Sequence, residues 1–186
     1  MACNHTSYFD PLAHALAVET AGRRPRFLIK RELYDNWLLR HVLDGAKQIP
    51  VSRGSGSHAP VDAAVQALRE GEAVLIFPEG TVTRNPDHTP MRAKTGVARI
   101  ALAADVPVIP MAVWGAHQVL QKGGQKGLTF GRPIWAKVGA PMDFSDFIDR
   151  PEDPPALREV TDEVMAEISR LVADLRSRYP KRWAEH

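Results

Sequence analysis

Apolar residues along the chain form short continuous runs that alternate with stretches of helical spacing. Short apolar runs predict a buried strand at residues 73–78 and further strands or extended segments at 27–30, 48–51, 106–113 and 128–138, the last of which can also be a hairpin arm. Apolar residues spaced three or four apart predict helices over 33–43, 61–69, 93–104 and 155–179. Because strands and helices alternate, we predict an α/β layered fold with a mixed, mostly parallel sheet flanked by helices.

The last predicted helix carries the longest apolar stripe. Its members are Leu157, Val160, Val164, Ile168, Leu171, Val172 and Leu175. A stripe of this width is typical of a helix packed on a core, and we prefer that interpretation to a membrane-facing one. Polar and Gly/Pro-rich stretches at 52–60 and 85–90 predict loops. In sheets of this class ligands bind beyond the carboxyl ends of the strands, so chemistry is expected in the segments that directly follow them.

Composition fits one domain spanning residues 1–186. The chain is 44% hydrophobic and 25% charged, which is typical of a globular protein with one sizeable core. Its net charge is only +2, from 24 basic and 22 acidic residues, so nothing indicates a nucleic-acid partner. Local basic patches can still bind phosphate groups or anionic lipid surfaces.

Cysteine content and hydropathy exclude two further classes. The single cysteine, Cys3, excludes a disulfide framework. No run approaches 18 apolar residues, so no transmembrane helix is predicted, and the polar residues after Cys3 do not resemble a signal peptide. Contact with a membrane is therefore expected to be peripheral or to come from residues outside this chain.

A histidine and an aspartate lie five positions apart near the start of the chain, at His5 and Asp10. Asp10 precedes Pro11 and a helical run, so it can be a helix N-cap. Its carboxylate can also reach back to the His5 ring, fix its tautomer and stabilise the imidazolium that forms when the ring takes up a proton. In a chain with seven histidines such a pair can arise by chance, so the pattern needs support from other segments.

The segment Phe77-Pro-Glu-Gly-Thr81 is more specific. It follows a buried strand, which puts Glu79, Gly80 and Thr81 at a carboxyl end of the sheet. Arg84 and Lys94, together with backbone N–H groups at the start of the next helix, can bind a phosphate. The alternative is a capped turn with solvated charges.

Other polar residues carry weaker signals. Arg53 enters a Gly-Ser loop after a short extended run, and Lys30 ends a strand, and each of these two can simply be solvated. A cysteine nucleophile at Cys3 is disfavoured, because residues two apart on an extended chain need a bend to bring the thiol to His5. Ser7 is disfavoured because no GxSxG elbow surrounds it. No metal-ligand spacing is seen, so no metal is predicted.

In this order, the segments resemble the glycerophospholipid acyltransferase family, and within it the 1-acylglycerol-3-phosphate acyltransferases. The family's His-x4-Asp motif is matched at His5–Asp10, and its lysine-containing segment resembles Lys30 to Leu33. Its arginine after an apolar run is matched at Arg53. The FPEGT motif is matched at 77–81 and the VPxxP motif at 106–110.

Two departures from the family pattern stand out. Many members have arginine directly after the EGT of their third motif, where this chain has Val82, and Arg84 can take over that role. Relatives also carry a strand, and often a membrane-binding helical segment, ahead of the first motif. The resemblance therefore leads us to expect a single acyltransferase domain that lacks both, with an exposed sheet edge where the strand is missing.

The resemblance implies acyl transfer without a cofactor. An acyl group would pass from acyl-CoA or acyl carrier protein to the free hydroxyl of a lysophospholipid acceptor, giving phosphatidic acid. His5 would be the general base and Asp10 its orienting partner. Arg53, then Arg84 and Lys30, with Lys94 nearby, would bind the acceptor phosphate. Glu79, with Gly80 and Thr81 beside it, would bind a glycerol hydroxyl or hold the backbone around Gly80.

Several alternatives stay open at the level of sequence. Another acceptor, such as glycerol 3-phosphate or another lysolipid, fits the same residues. A hydrolase would use the same histidine and aspartate to activate water, and a non-catalytic lipid-binding remnant would bind lysolipid without turnover. Because both substrates are amphiphiles, we expect peripheral action at the cytoplasmic face of a membrane.

Overall fold

The chain folds into six strands and seven α-helices in the part that the computed structural model describes, residues 1–51, 59–120, 129 and 131–184. The strands are β1 Ala2–Cys3, β2 Pro25–Lys30, β3 Ile49–Val51, β4 Ala73–Leu75, β5 Pro110–Trp114 and β6 Trp135–Val138. The helices are α1 Asp10–Thr20, α2 Trp37–Gly45, α3 Ala59–Arg69, α4 Gly96–Ala104, α5 Ala116–Val119, α6 Pro154–Arg178 and α7 Lys181–Ala184. Two short 3₁₀ helices cover Arg31–Asp35 and Ser145–Phe147.

The strands form two three-stranded sheets that meet side by side. One has the order β3-β2-β4 and is parallel throughout, and the other has the order β1-β5-β6 with only β6 antiparallel. A parallel bridge between Ala2 and Ile76 joins β1 to the end of β4. The α/β architecture with a mixed, mostly parallel sheet flanked by helices, as the sequence predicted, is confirmed.

A short strand precedes His5, contrary to the expectation that none would. Ala2 and Cys3 are fully buried and pair with Pro110 and Met111 of β5. On the other side, the Cys3 N–H donates to the carbonyl of Ile76 at 2.9 Å. Two residues are enough to occupy this position between the two sheets, so the expected exposed edge beside the first motif is absent there. The sequence did not indicate this strand because two residues show no periodicity.

Other predicted elements are shorter than expected. The helix predicted over 33–43 is a 3₁₀ helix up to Asp35 followed by α2, and the break is at Asn36, whose Oδ1 accepts from the N–H groups of Leu38 and Leu39. The strand predicted over 106–113 begins only at Pro110. Proline has no backbone N–H to donate to a neighbouring strand, which explains why the prolines in this segment shorten the strand. In the described part of 128–138, only Trp135–Val138 is a strand.

The apolar stripe of α6 faces the core. All seven residues of the predicted stripe are buried, and they pack with apolar residues of α4 and β5. The preference for core packing over a membrane-facing stripe is therefore confirmed. Among the described residues, no helix combines the length and the hydropathy needed to cross a bilayer.

Candidate active site

The His5 ring lies just beyond the carboxyl end of β1 and contacts Asp10. The distance from His5 Nδ1 to Asp10 Oδ2 is 3.0 Å, the aspartate side chain is fully buried, and the histidine side chain is 12% exposed. With the carboxylate accepting from Nδ1–H, the second ring nitrogen, Nε2, is the one that can take up a proton. The pairing suggested by the sequence is present in the structure.

Asp10 holds the turn that precedes its helix as well as the histidine ring. Its Oδ2 accepts from the backbone N–H groups of Thr6 and Ser7, and its Oδ1 accepts from the Thr6 hydroxyl at 3.3 Å. The N-cap position of α1 is Phe9, and Asp10 is already inside the helix. The interpretation of Asp10 as a simple helix cap is therefore wrong, because its carboxylate accepts hydrogen bonds from residues that precede the helix and not from the N–H groups of the helix itself.

An aromatic contact fixes the face of the His5 ring. Phe77 stacks on it with ring centroids 4.3 Å apart and an interplanar angle of 22°. Phe27 of β2 in turn stacks on Phe77, with ring centroids 5.9 Å apart. The imidazole is thus held at its edge by Asp10 and on its face by Phe77. The sequence indicated Phe77 only as part of the 77–81 motif, because stacking on a distant ring leaves no signal along the chain.

Glu79 links the 77–81 segment to His5 through the backbone. Its Oε1 accepts from the His5 N–H at 3.0 Å and its Oε2 from the Met91 N–H at 2.9 Å. The Thr83 N–H donates to the His5 carbonyl at 2.7 Å. Burial raises the pKa of Glu79, against the opposing effect of these N–H donors. Of the two roles considered for Glu79, these contacts favour holding the backbone.

Removal of the Glu79 carboxylate should therefore lower stability. In Glu79→Ala two partly buried N–H groups lose their acceptor, and we expect the free energy of unfolding to fall by about 2 kcal/mol. Urea unfolding measures the loss, with Glu163→Ala as the control because Glu163 is exposed on α6. Unchanged stability together with a selective rise in the acceptor KM would instead indicate that Glu79 contacts the acceptor.

The turn at 77–80 requires its glycine. Gly80 has φ +71° and donates its N–H to the Phe77 carbonyl at 2.9 Å. A Cβ placed on Gly80 would lie 3.6 Å from Lys94 Cε, so the exposed Lys94 side chain crosses over this turn. Thr81 follows, half-buried. The structure thus brings Lys94 to the segment that also holds His5.

Of the remaining predicted cations, the structure describes Arg84 and Lys30. Arg84 is exposed and follows Thr83, the residue that donates to the His5 carbonyl, whereas Lys30 is exposed at the end of β2. Arg53 lies outside the described residues. Val82 is 2% exposed, so the position where many family members carry arginine faces the core here. Arg84 is the exposed cation nearest to it in sequence.

Sequence reasoning missed two polar residues that anchor the motif. The Asn4 side chain accepts from the Val113 N–H at 2.8 Å and donates to the Val113 carbonyl at 3.0 Å, both on β5. The Ser7 hydroxyl donates to the Leu120 carbonyl at 2.6 Å.

Burial raises the pKa of the Cys3 thiol to about 12, which opposes a thiolate nucleophile. Within the described ranges, no three His, Cys, Asp or Glu side chains are grouped as a metal site would require.

Two histidines near this region, the fully buried His14 and the partly buried His117, remain neutral at ordinary pH. Burial lowers the pKa of His14 to about 4, and His14 packs edge-on against Phe77. Burial also lowers the pKa of His117 to about 4. In each ring, Nδ1 has no hydrogen-bond partner within the part of the chain that the structure describes. The other nitrogen of His14, Nε2, lies 3.4 Å from the Asn4 carbonyl oxygen. Because burial disfavours the charged form, protonation of either ring opposes folding.

Stability should accordingly fall as the pH drops from about 6.5 to about 4. In that range the two histidines take up protons in the unfolded chain but not in the folded chain. Each ring therefore lowers the free energy of unfolding by about 3 kcal/mol once the pH reaches about 4. Urea unfolding at several pH values would measure this loss. His14→Leu and His117→Phe should each flatten the dependence, and a slope equal to that of the unchanged chain in both variants would contradict the assignment.

Comparison with known proteins places these residues in a recognised family region. A family model described as Acyltransferase matches residues 1–114, which is 114 of the 186 residues. That range contains His5, Asp10 and the whole 77–94 region.

Individual relatives cover about two thirds of the chain. A 1-acyl-sn-glycerol-3-phosphate acyltransferase of Bacillus subtilis is 29% identical over 136 residues, covering 72% of this chain and 65% of the relative. A probable 1-acyl-sn-glycerol-3-phosphate acyltransferase of Mycoplasma pneumoniae is 32% identical over 129 residues, covering 66% and 47%. Tafazzin of Drosophila melanogaster is 31% identical over 126 residues, covering 63% and 33%. The chain thus spans from one third to just under two thirds of the length of these curated relatives.

Proposed function

The chain belongs to the acyltransferase family, and on that premise we propose that it transfers a fatty acyl group from a thioester to the free hydroxyl of 1-acylglycerol 3-phosphate, giving phosphatidic acid. The observation that carries the proposal is the His5–Asp10 pair, with its 3.0 Å contact and fully buried carboxylate. Relatives named for this acceptor support the choice of substrate.

The proposed reaction needs a base. A hydroxyl is a poor nucleophile at neutral pH, and His5 Nε2 takes its proton as the oxygen attacks the thioester carbonyl. The new ester bond forms as the C–S bond breaks, and the imidazolium returns the proton to the departing thiolate. Asp10 holds the ring and stabilises its charged form between these two transfers. No covalent acyl-enzyme is required.

The acceptor phosphate is assigned to the basic residues around the 77–94 segment. Lys94 crosses the Gly80 turn, and Arg84 follows Thr83, whose N–H donates to the His5 carbonyl. Both cations thus flank the segment that contacts the His5 backbone, which supports assigning them to the acceptor phosphate. Arg53 and Lys30 complete the proposed cationic set. Acyl-CoA or acyl carrier protein is the proposed donor, without a further cofactor, and we propose peripheral action at the cytoplasmic face of a membrane because both substrates are amphiphiles.

Product identity distinguishes the proposal from its alternatives. A hydrolase with the same pair releases free fatty acid, whereas an acyltransferase makes labelled phosphatidic acid. A lipid-binding remnant yields neither. Glycerol 3-phosphate and other lysolipids fit the same residues, so they belong in the same acceptor panel.

The test is acyl transfer from radiolabelled acyl-CoA to lysophosphatidic acid, with products separated by chromatography. Labelled phosphatidic acid is the expected product, and Arg53→Ala should raise the acceptor KM with little change in kcat. Arg69→Ala is the control, since Arg69 is an exposed arginine at the end of α3 and lies outside the proposed set. Free fatty acid as the main product, or no turnover with any acceptor of the panel, would overturn the proposal.

A further inference from the structure

Helix α2 presents apolar residues to solvent. Leu38, Leu39 and Val42 are 59%, 44% and 61% exposed, and they lie on one side of the helix by its 3.6-residue period. We call these three residues the apolar face of α2. Trp37, at the first position, is 79% exposed, and no residue of this helix is buried.

This exposure is unusual for the position of α2 in the fold. The helix lies in the connection between the parallel strands β2 and β3, where a crossover helix normally buries its apolar side on the sheet. Eight of the nine large apolar side chains that are exposed in the described part lie within residues 8–42. The ninth is Val138, on β6 at the other end of the strand order. The exposed apolar surface is therefore concentrated in one part of the chain.

Charge is concentrated in the same part. Residues 23–47 contain seven basic residues and three acidic ones, which gives +4, so the remaining residues of the +2 chain together carry −2. Lys30, Arg31, Arg40 and Lys47 are exposed around α2. An apolar helix face among exposed cations is complementary to a bilayer surface that contains anionic lipids.

The connection to α2 starts at the edge of the sheet that carries the candidate site. β2 is parallel to β4, and Ile76 at the end of β4 forms a parallel bridge with β1. The carboxyl ends of β2 and β1 therefore lie at the same edge, with Lys30 at the end of β2 and His5 just after β1. The 3₁₀ helix Arg31–Asp35 has five residues and spans about 10 Å at its usual rise. A lipid surface at α2 would thus be close to the edge where an amphiphilic acceptor must arrive.

We propose that the apolar face of α2 inserts into an anionic lipid surface, with the surrounding cations contacting the headgroups. The proposal rests on the proposed function, because a lipid acceptor and a lipid product make the bilayer the source of substrate. It commits to a bilayer as the occupant of this face; a second copy of the chain is a competing outcome of the test.

The test is flotation of the protein with vesicles of phosphatidylcholine alone or with added phosphatidylglycerol, in the absence of any acyl donor. The variant Leu38→Gln/Leu39→Gln/Val42→Gln removes the apolar face without changing charge, and Val138→Gln is the matched control. We expect binding to the anionic vesicles to fall about tenfold or more in the triple variant and to stay unchanged in the control. Binding to phosphatidylcholine alone should be weaker for the parent chain.

Two results would overturn the proposal. One is equal vesicle binding by the parent and the triple variant. The other is a dimer in sedimentation that the triple variant dissociates, which would assign the face to a second copy. Because the three residues are exposed, circular dichroism and the melting temperature should not change. Binding is measured without turnover, so failure of acyl transfer and failure of docking are separate results.

Discussion

Replacement of His5 by alanine is expected to lower kcat for acyl transfer by about 10³-fold or more, because the acceptor hydroxyl loses its base. The acceptor KM should change little, since the proposed phosphate-binding residues remain. The measurement is kcat and KM with labelled acyl-CoA and a short-chain, dispersed lysophosphatidic acid. Such a substrate keeps the result independent of vesicle binding.

Two variants accompany the His5 measurement. His5→Gln fills much of the ring's volume beside Phe77 but cannot take up the proton, so it should be as inactive as His5→Ala. His41→Ala removes an exposed histidine from α2 and should retain full activity. Circular dichroism checks that each variant is folded. Substantial acyl transfer by folded His5→Gln would exclude His5 as the base.

Replacement of Asp10 by asparagine is expected to lower kcat by about 10²- to 10⁴-fold while leaving most of the fold intact. An amide oxygen can still accept from the N–H groups of Thr6 and Ser7, which now bond to the carboxylate. It carries no charge, however, so the imidazolium formed during transfer is no longer stabilised, and the ring tautomer is no longer set. The measurement is the ratio of kcat to the parent value at constant acceptor KM.

Comparison of Asp10→Asn with Asp10→Ala separates catalysis from stability. Alanine leaves the Thr6 and Ser7 N–H groups without an acceptor in a buried position, so the free energy of unfolding should fall by about 2 kcal/mol or more. Asparagine should show the catalytic defect with a much smaller loss of stability. If the loss of activity in Asp10→Asn only follows its loss of stability, then Asp10 acts on the fold alone.

The contacts of the candidate site explain why a short motif at the start of the chain can be rigid. Asn4 bonds to β5, Asp10 bonds to the 6–7 turn, and Glu79 bonds to the His5 backbone. Each of these polar groups is buried, and each bonds to backbone. If any of these side chains moved away, backbone donors would be left unpaired, which costs free energy. The position of the His5 ring is therefore determined from three directions.

Much of the architecture was determined by local sequence. The short apolar runs and the period-3.6 patterns were sufficient to predict the α/β class and the core-facing stripe of α6, because burying apolar surface is the dominant driving force of folding. The ordered set of motifs between residues 5 and 110 was sufficient to recognise the resemblance to the family. These features depend on residues close together in the chain, so they can be predicted from the sequence.

Only the tertiary structure decided what lies between distant segments. β1 is too short to show a period and exists because β5 and Ile76 pair with it on both sides. The role of Glu79 depends on N–H groups 74 and 12 residues away, and the stacking of Phe77 on His5 depends on the same long-range approach. The apolar residues of α2 have a spacing that looks like a core helix, yet they are exposed. A pattern along the chain specifies that a face is apolar, whereas which surface covers it is decided by packing between segments that the pattern does not connect.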